Sequence, residues 1–149
     1  MKRRQFVGFV VAAAMMPQVA SAERVAMTVH KDPGCSCCVA WSRAYATEGY
    51  IVDERDENDM QAIKVSLKVP PDLQGCHTAV INGYYVEGHV PIEAVEKLLT
   101  DRPELAGLAV AGMPRGSLGM GDSPKASYDV MAVPLDGSKP YVFMAVRPS

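Results

Sequence analysis

Beyond residue 22 the chain has no apolar run of membrane-spanning length, no basic stripe and no internal repeat. A bilayer-crossing helix needs about 20 apolar residues, so the first absence excludes a span in that part. Clustered lysine and arginine form the footprint of a nucleic-acid binder, and their absence argues against such a partner. With no repeat to divide it, a chain of 149 residues reads as one domain with a real core. Cysteine is also scarce. There are four, three of them in Asp32-Pro33-Gly34-Cys35-Ser36-Cys37-Cys38, and the fourth is Cys76.

The first 22 residues have a different character. Lys2, Arg3 and Arg4 precede an apolar run, Phe6–Met16, which Pro17 breaks before Ala20-Ser21-Ala22. A basic start, a short apolar stretch and an A-x-A site are the marks of a secretory signal peptide cleaved after Ala22. Arg3-Arg4-Gln5-Phe6-Val7 also resembles a twin-arginine export signal, and an ordinary secretory signal remains the other reading. The expectation is a periplasmic protein, residues 23–149, with no membrane attachment after cleavage. The leader holds three positive charges and no carboxylate, so the formal charge of −2 becomes near −5 without it, three units lower.

In an oxidising compartment four cysteines ordinarily suggest two structural disulfides. Cys37 and Cys38 are adjacent, however, with Cα atoms about 3.8 Å apart, shorter than disulfides usually span. Cys35 and Cys38 frame a C-x-x-C, common to dithiol redox centres and metal sites. They could close, leaving Cys37 and Cys76 to find each other. A dithiol cycle needs one attacking and one resolving thiol, so Cys37 is surplus to it. Clustered thiolates do suit a soft ion, copper(I) or zinc.

Periodicity supplies the frame. Arg24–His30 alternates as a strand, Asp32-Pro33-Gly34 breaks it, and a helix opens at Cys37 or Cys38 and runs to about Glu48. A short strand, Tyr50–Asp53, precedes a helix from Asp59 to about Leu67 capped by Asn58. Thr78–Ile81 and Tyr84–Val86 flank Asn82-Gly83, a hairpin signal. Pro91 starts a third helix. The order β-α-β-α-β-β-α makes this an α/β chain of thioredoxin-like type, with the first two strands parallel. Gly107–Ser123 reads as irregular, and Tyr128–Pro134 and Tyr141–Val146 as a final strand pair. Residues 104–149 form a C-terminal extension packed on the same domain.

That frame places the first cysteines where a strand meets a helix N-terminus, whose partial positive charge favours thiolate. It also brings Cys76, at the start of the third strand, toward the same loop. Thioredoxins have a cis-proline before a threonine there, and His77 takes its place before Thr78. His77 could ligate metal or cap the strand end. His30 reads as a surface residue or a support for a ligand, and His89 as a turn histidine bonded to backbone, with ligation the lesser reading for each. Met113 and Met120, in a glycine-rich loop, could pack or could offer thioethers to copper(I). Met27, Met60, Met131 and Met144 read as core, and Trp41 as a shield one turn after Cys38.

Cys35-Ser36-Cys37-Cys38 with Trp41, Cys76-His77-Thr78-Ala79, Glu87-Gly88-His89-Val90-Pro91 and Gly107-Leu108-Ala109-Val110 through Gly112-Met113-Pro114 together resemble the CopG-type proteins of bacterial copper-resistance gene clusters. The resemblance runs from about Val25 to Val133. It implies a periplasmic thioredoxin-like domain whose C-terminal extension helps hold copper. It further implies a multinuclear, cysteine-bridged site at Cys35, Cys37, Cys38 and Cys76, with Met113 and Met120 matching the family's methionines, and Cu(I)/Cu(II) interconversion. The family often has glutamate after the second methionine, where this chain has Gly121-Asp122, and proline where it has Leu118.

The expectation is therefore an exported, monomeric copper-binding protein of copper resistance that interconverts Cu(I) and Cu(II) or hands Cu(I) to an efflux system. Two alternatives stand beside it. One is a thiol-disulfide oxidoreductase using Cys35 and Cys38. The other is a module stabilised by zinc on three cysteines and His77.

Overall fold

The computed structural model describes residues 24–148, and the leader expected at 1–22 lies outside them. The chain is α/β. Its elements are β1 (Ala26–Lys31), α1 (Ser36–Thr47), β2 (Ile51–Asp56), α2 (Met60–Ser66), a 3-10 turn at Pro71–Leu73, β3 (His77–Ile81), β4 (Tyr84–Glu87), α3 (Ile92–Asp101), β5 (Leu105–Ala109), β6 (Tyr128–Pro134) and β7 (Tyr141–Val146). The strands form one mixed sheet in the order β2-β1-β3-β4-β5-β6-β7. β1 and β2 run parallel, as do β4 and β5, and the remaining neighbours are antiparallel.

The alternation read in the first strand puts Met27 and Val29 into the core. They meet Trp41 and Tyr45 of α1, Ala94, Val95 and Leu98 of α3, and Leu108 of β5 on one face of the sheet. Fully buried side chains such as Leu98 and Leu108 each contribute roughly 1.5–3 kcal/mol by leaving water. A smaller cluster of Val69, Leu73, Tyr85, Ala109 and Val133 covers the other face. Asn82 and Gly83 both adopt positive φ, 47° and 84°, which the tight hairpin between β3 and β4 requires.

Three local expectations are corrected. Asp59, not Asn58, caps α2, its carboxylate accepting from the Ala62 N–H at 3.0 Å. The second strand extends to Asp56, three residues past the expected end, because β1 offers pairing as far as Lys31. The first part of the stretch read as irregular is strand β5, inserted between β4 and β6. Its sequence Leu-Ala-Gly-Leu-Ala shows no alternation because both of its faces are covered.

Candidate metal centre

The turn after β1 delivers Cys35 to the N-cap of α1, and Ser36, Cys37 and Cys38 form the helix's first turn with no acidic residue among them. Cys76 stands immediately before β3, which pairs with β1 so that Lys31 is opposite His77. The pairing brings the two thiol-bearing segments to one end of the sheet. Cys37 Sγ lies 3.5 Å from Cys35 Sγ and 3.8 Å from Cys76 Sγ, and Cys38 Sγ lies 3.6 Å from Cys76 Sγ. All four sulfurs fall within 4.8 Å of one another. Cys35 and Cys38 are disulfide-bonded, while Cys37 and Cys76 are free thiols.

Close backbone packing makes this convergence possible. A β-carbon on Gly75 would stand 2.6 Å from Gly88 Cα, so Gly75 lets the segment bearing Cys76 press against the turn bearing His89. A β-carbon on Gly119, whose φ is +88°, would stand 2.9 Å from the Cys37 carbonyl oxygen. The glycine-rich loop thus rests directly on the first turns of α1.

A buried ion pair holds the Cys76 segment from below. The fully buried Glu87 carboxylate accepts from the buried Lys64 ammonium, from the Gly75 N–H at 2.8 Å, and from the Thr78 hydroxyl at 2.5 Å. Lys64 also donates to Thr78 Oγ1 at 3.0 Å. One carboxylate therefore grips the chain on both sides of Cys76. The sequence reading did not identify this pair. Its available signal was a lysine one turn after Met60, on the apolar side of a short helix.

His89 keeps the turn role expected of it and adds a second contact. Its Nδ1 lies 2.7 Å from the Leu118 carbonyl oxygen, as expected for a turn histidine bonded to backbone, but its Nε2 lies 3.0 Å from Cys76 Sγ. A carbonyl only accepts, so Nδ1 carries the proton and Nε2 presents its lone pair to the sulfur. That tautomer is the one that can ligate a metal through Nε2. His77 also meets the site, with Nδ1 3.3 Å from Cys76 Sγ; its Nε2 is buried without a partner among the described residues. Burial lowers the pKa of both rings, with the neighbouring His89 and Lys64 adding to the effect at His77, which falls to about 3. His30 turns away to Glu57, 2.7 Å distant.

Cys76, by contrast, is pushed up to about 12, first by burial and then by the charge of Cys37 and a hydrogen bond with it. Without metal it holds its proton and donates to His89 Nε2, so a metal binding there must displace that proton. Trp41 is fully buried, as expected of a shield, with its ring centroid 4.5 Å from that of His77 and its N–H donating to the Val90 carbonyl at 2.9 Å.

The donors form two overlapping groups, Cys35, Cys37, Cys38 and Cys76, and Cys76, His77 and His89, with no carboxylate in either. Sulfur and imidazole without oxygen suit copper(I), and zinc less selectively. Of the methionines expected as ligands, Met120 follows Gly119, whose backbone rests on the first turns of α1. Met113 is 55% exposed, on a loop tied to the Cys76 segment by the Gly112 N–H donating to the Gln74 carbonyl at 3.1 Å. If both supply thioethers, the double variant Met113→Leu/Met120→Leu should retain copper(I) about tenfold less well at an unchanged melting temperature. Competition against a copper(I) chelator reads this, and equal affinity would assign both residues to packing.

The fold and these donors define an α/β protein with a thiol-rich site able to hold a metal. Two solved structures of copper resistance protein copG, forms 2 and 1, are each 39% identical to the chain with a TM-score of 0.78. The first match covers 83% of this chain and 99% of that one, the second 85% and 100%. The chain belongs to the family of that copper resistance protein, as its motifs indicated. The family described as "Protein of unknown function, DUF411" matches residues 73–120, a stretch holding Cys76, His77, His89, Met113 and Met120. No curated protein matches. Among the described residues no helix is long and apolar enough to cross a membrane.

Proposed function

We propose that the chain is an exported copper-binding protein of copper resistance that holds copper(I) at the site built by Cys35, Cys37, Cys38 and Cys76. The observation that carries this reading is the meeting of four sulfurs from two distant parts of the chain within 4.8 Å. With Cys35–Cys38 reduced, four thiols so close can bridge more than one soft ion, His77 and His89 add uncharged donors beside Cys76, and Met113 and Met120 are the thioethers the glycine-rich loop could offer. Residues 23–149 act as one periplasmic, monomeric, thioredoxin-like unit in which residues 104–149 close over the thiols. The bound ion is interconverted between Cu(I) and Cu(II) or passed as Cu(I) to an efflux system.

The closed Cys35–Cys38 bond favours a second reading, thiol-disulfide exchange on protein substrates. Cys37→Ser separates the two. A copper site loses a bridging thiolate, so bound copper per chain should fall and the affinity of what remains should drop more than about tenfold. A dithiol enzyme would keep its activity in that variant. Unchanged copper content, measured by metal analysis after anaerobic loading, would overturn the copper reading.

A further inference from the structure

Four neighbouring thiols are not used alike in this structure. Cys35 and Cys38 are joined, and Cys37 and Cys76 are not, although Cys37 lies 3.5 Å from Cys35 and Cys76 lies 3.6 Å from Cys38. Closing that bond removes two donors but leaves the rest of the site standing. The Cys37 and Cys76 sulfurs remain 3.8 Å apart, and His89 Nε2 remains 3.0 Å from Cys76. Cys76 joins these two contacts, with Cys37 on one side of its sulfur and His89 on the other.

We propose that Cys35 and Cys38 are the electron source for reducing Cu(II) at this site, and that the two free thiols, Cys37 and Cys76, hold the Cu(I) produced. The proposal rests on the copper reading above and names what that reading left open, the donor of electrons. In the step, the Cys35 and Cys38 S–H bonds break and one S–S bond forms. Two protons leave to solvent, and two electrons pass singly to two Cu(II) ions, giving two Cu(I). The direction follows from the donors, because thiolate and imidazole without carboxylate favour Cu(I). The step stops after one round until a dithiol reductant reopens the bond.

The pairing is local for a physical reason. Cys35 and Cys38 lie on one helical turn, so their bond leaves α1 in place. A Cys37–Cys76 bond would instead join residues 39 positions apart and take away both free sulfurs of the holding set.

The test uses the full chain, reduced and kept without oxygen, to which Cu(II) is added in excess. Cu(I) is counted with a copper(I) chelator, remaining thiols are alkylated, and the protein is digested with trypsin. Cys35, Cys37 and Cys38 share the peptide Asp32–Arg43, and Cys76 falls in another. The proposal expects about two Cu(I) per chain. It also expects Asp32–Arg43 with one alkyl label and an internal disulfide, and a labelled Cys76. In Cys35→Ser/Cys38→Ser the yield should fall at least about tenfold. A Cys37–Cys76 cross-link between the two peptides, or an undiminished yield in that variant, would overturn it. Retention of directly added Cu(I) without reduction of Cu(II) would overturn this proposal alone. Failure to retain Cu(I) at all would overturn the copper reading with it.

Discussion

Cys76→Ala should lose copper(I) as severely as loss of Cys35 or Cys38, although it lies 38 positions beyond Cys38. Its sulfur is the one that both free-standing segments share. It touches Cys37 and Cys38 on one side and both buried histidines on the other. Removing a merely supporting partner of a metal ligand costs roughly 10–100-fold in affinity, so removing this central ligand should exceed that. The fold should survive, because alanine fits the space and the clamp on the backbone at Gly75 and Thr78 does not involve the thiol. Chelator competition on the reduced variant measures the loss, and thermal melting checks the fold. Retention of copper within a few-fold of the parent would place the site in the Cys35–Cys38 loop alone.

Glu87→Leu should be the most damaging single change to stability. It leaves the Lys64 ammonium buried with no counter-charge and strips the Gly75 N–H and the Thr78 hydroxyl of their acceptor. Breaking a buried pair from one side costs about 3–5 kcal/mol, out of a total stability of about 5–15 kcal/mol. Removing both charges, in Lys64→Met/Glu87→Leu, should recover most of that loss, since apolar replacements of buried pairs are often neutral. Copper affinity should not recover in the double variant, because the Gly75 N–H that fixes the approach to Cys76 still lacks its partner. Urea unfolding and chelator competition, run on both variants, separate the two effects. A loss below about 1 kcal/mol in Glu87→Leu would show that the pair is not acting as a buried one.

The parts legible in the sequence were those governed by short-range rules. The β1 alternation, the Asn82-Gly83 turn, the Pro91 helix start and the C-terminal strand pair each depend on a few adjacent residues. Once those elements stood in order, the approach of Cys76 to Cys35–Cys38 followed from strand pairing, and the structure places the sulfurs together. β5 was missed because a strand covered on both faces has no period to detect and contains Gly107. His89 was read by its turn, which accounts for Nδ1, while its contact with Cys76 depends on Gly75 and Gly88 packing backbone to backbone. The Lys64–Glu87 pair stayed hidden because a charge gives no sign in sequence that its partner lies 23 positions away in a buried layer.

If copper(I) sits among these sulfurs, X-ray absorption at the copper edge will show it. The reduced full chain is loaded with Cu(I) in the absence of oxygen, desalted, and measured beside Cys76→Ala. Copper should survive desalting, with neighbours mainly sulfur at about 2.3 Å, near the value for zinc–thiolate bonds, and the variant should show a marked loss of copper. Copper surrounded only by nitrogen and oxygen, or copper lost on desalting by a chain that keeps zinc, would contradict that placement.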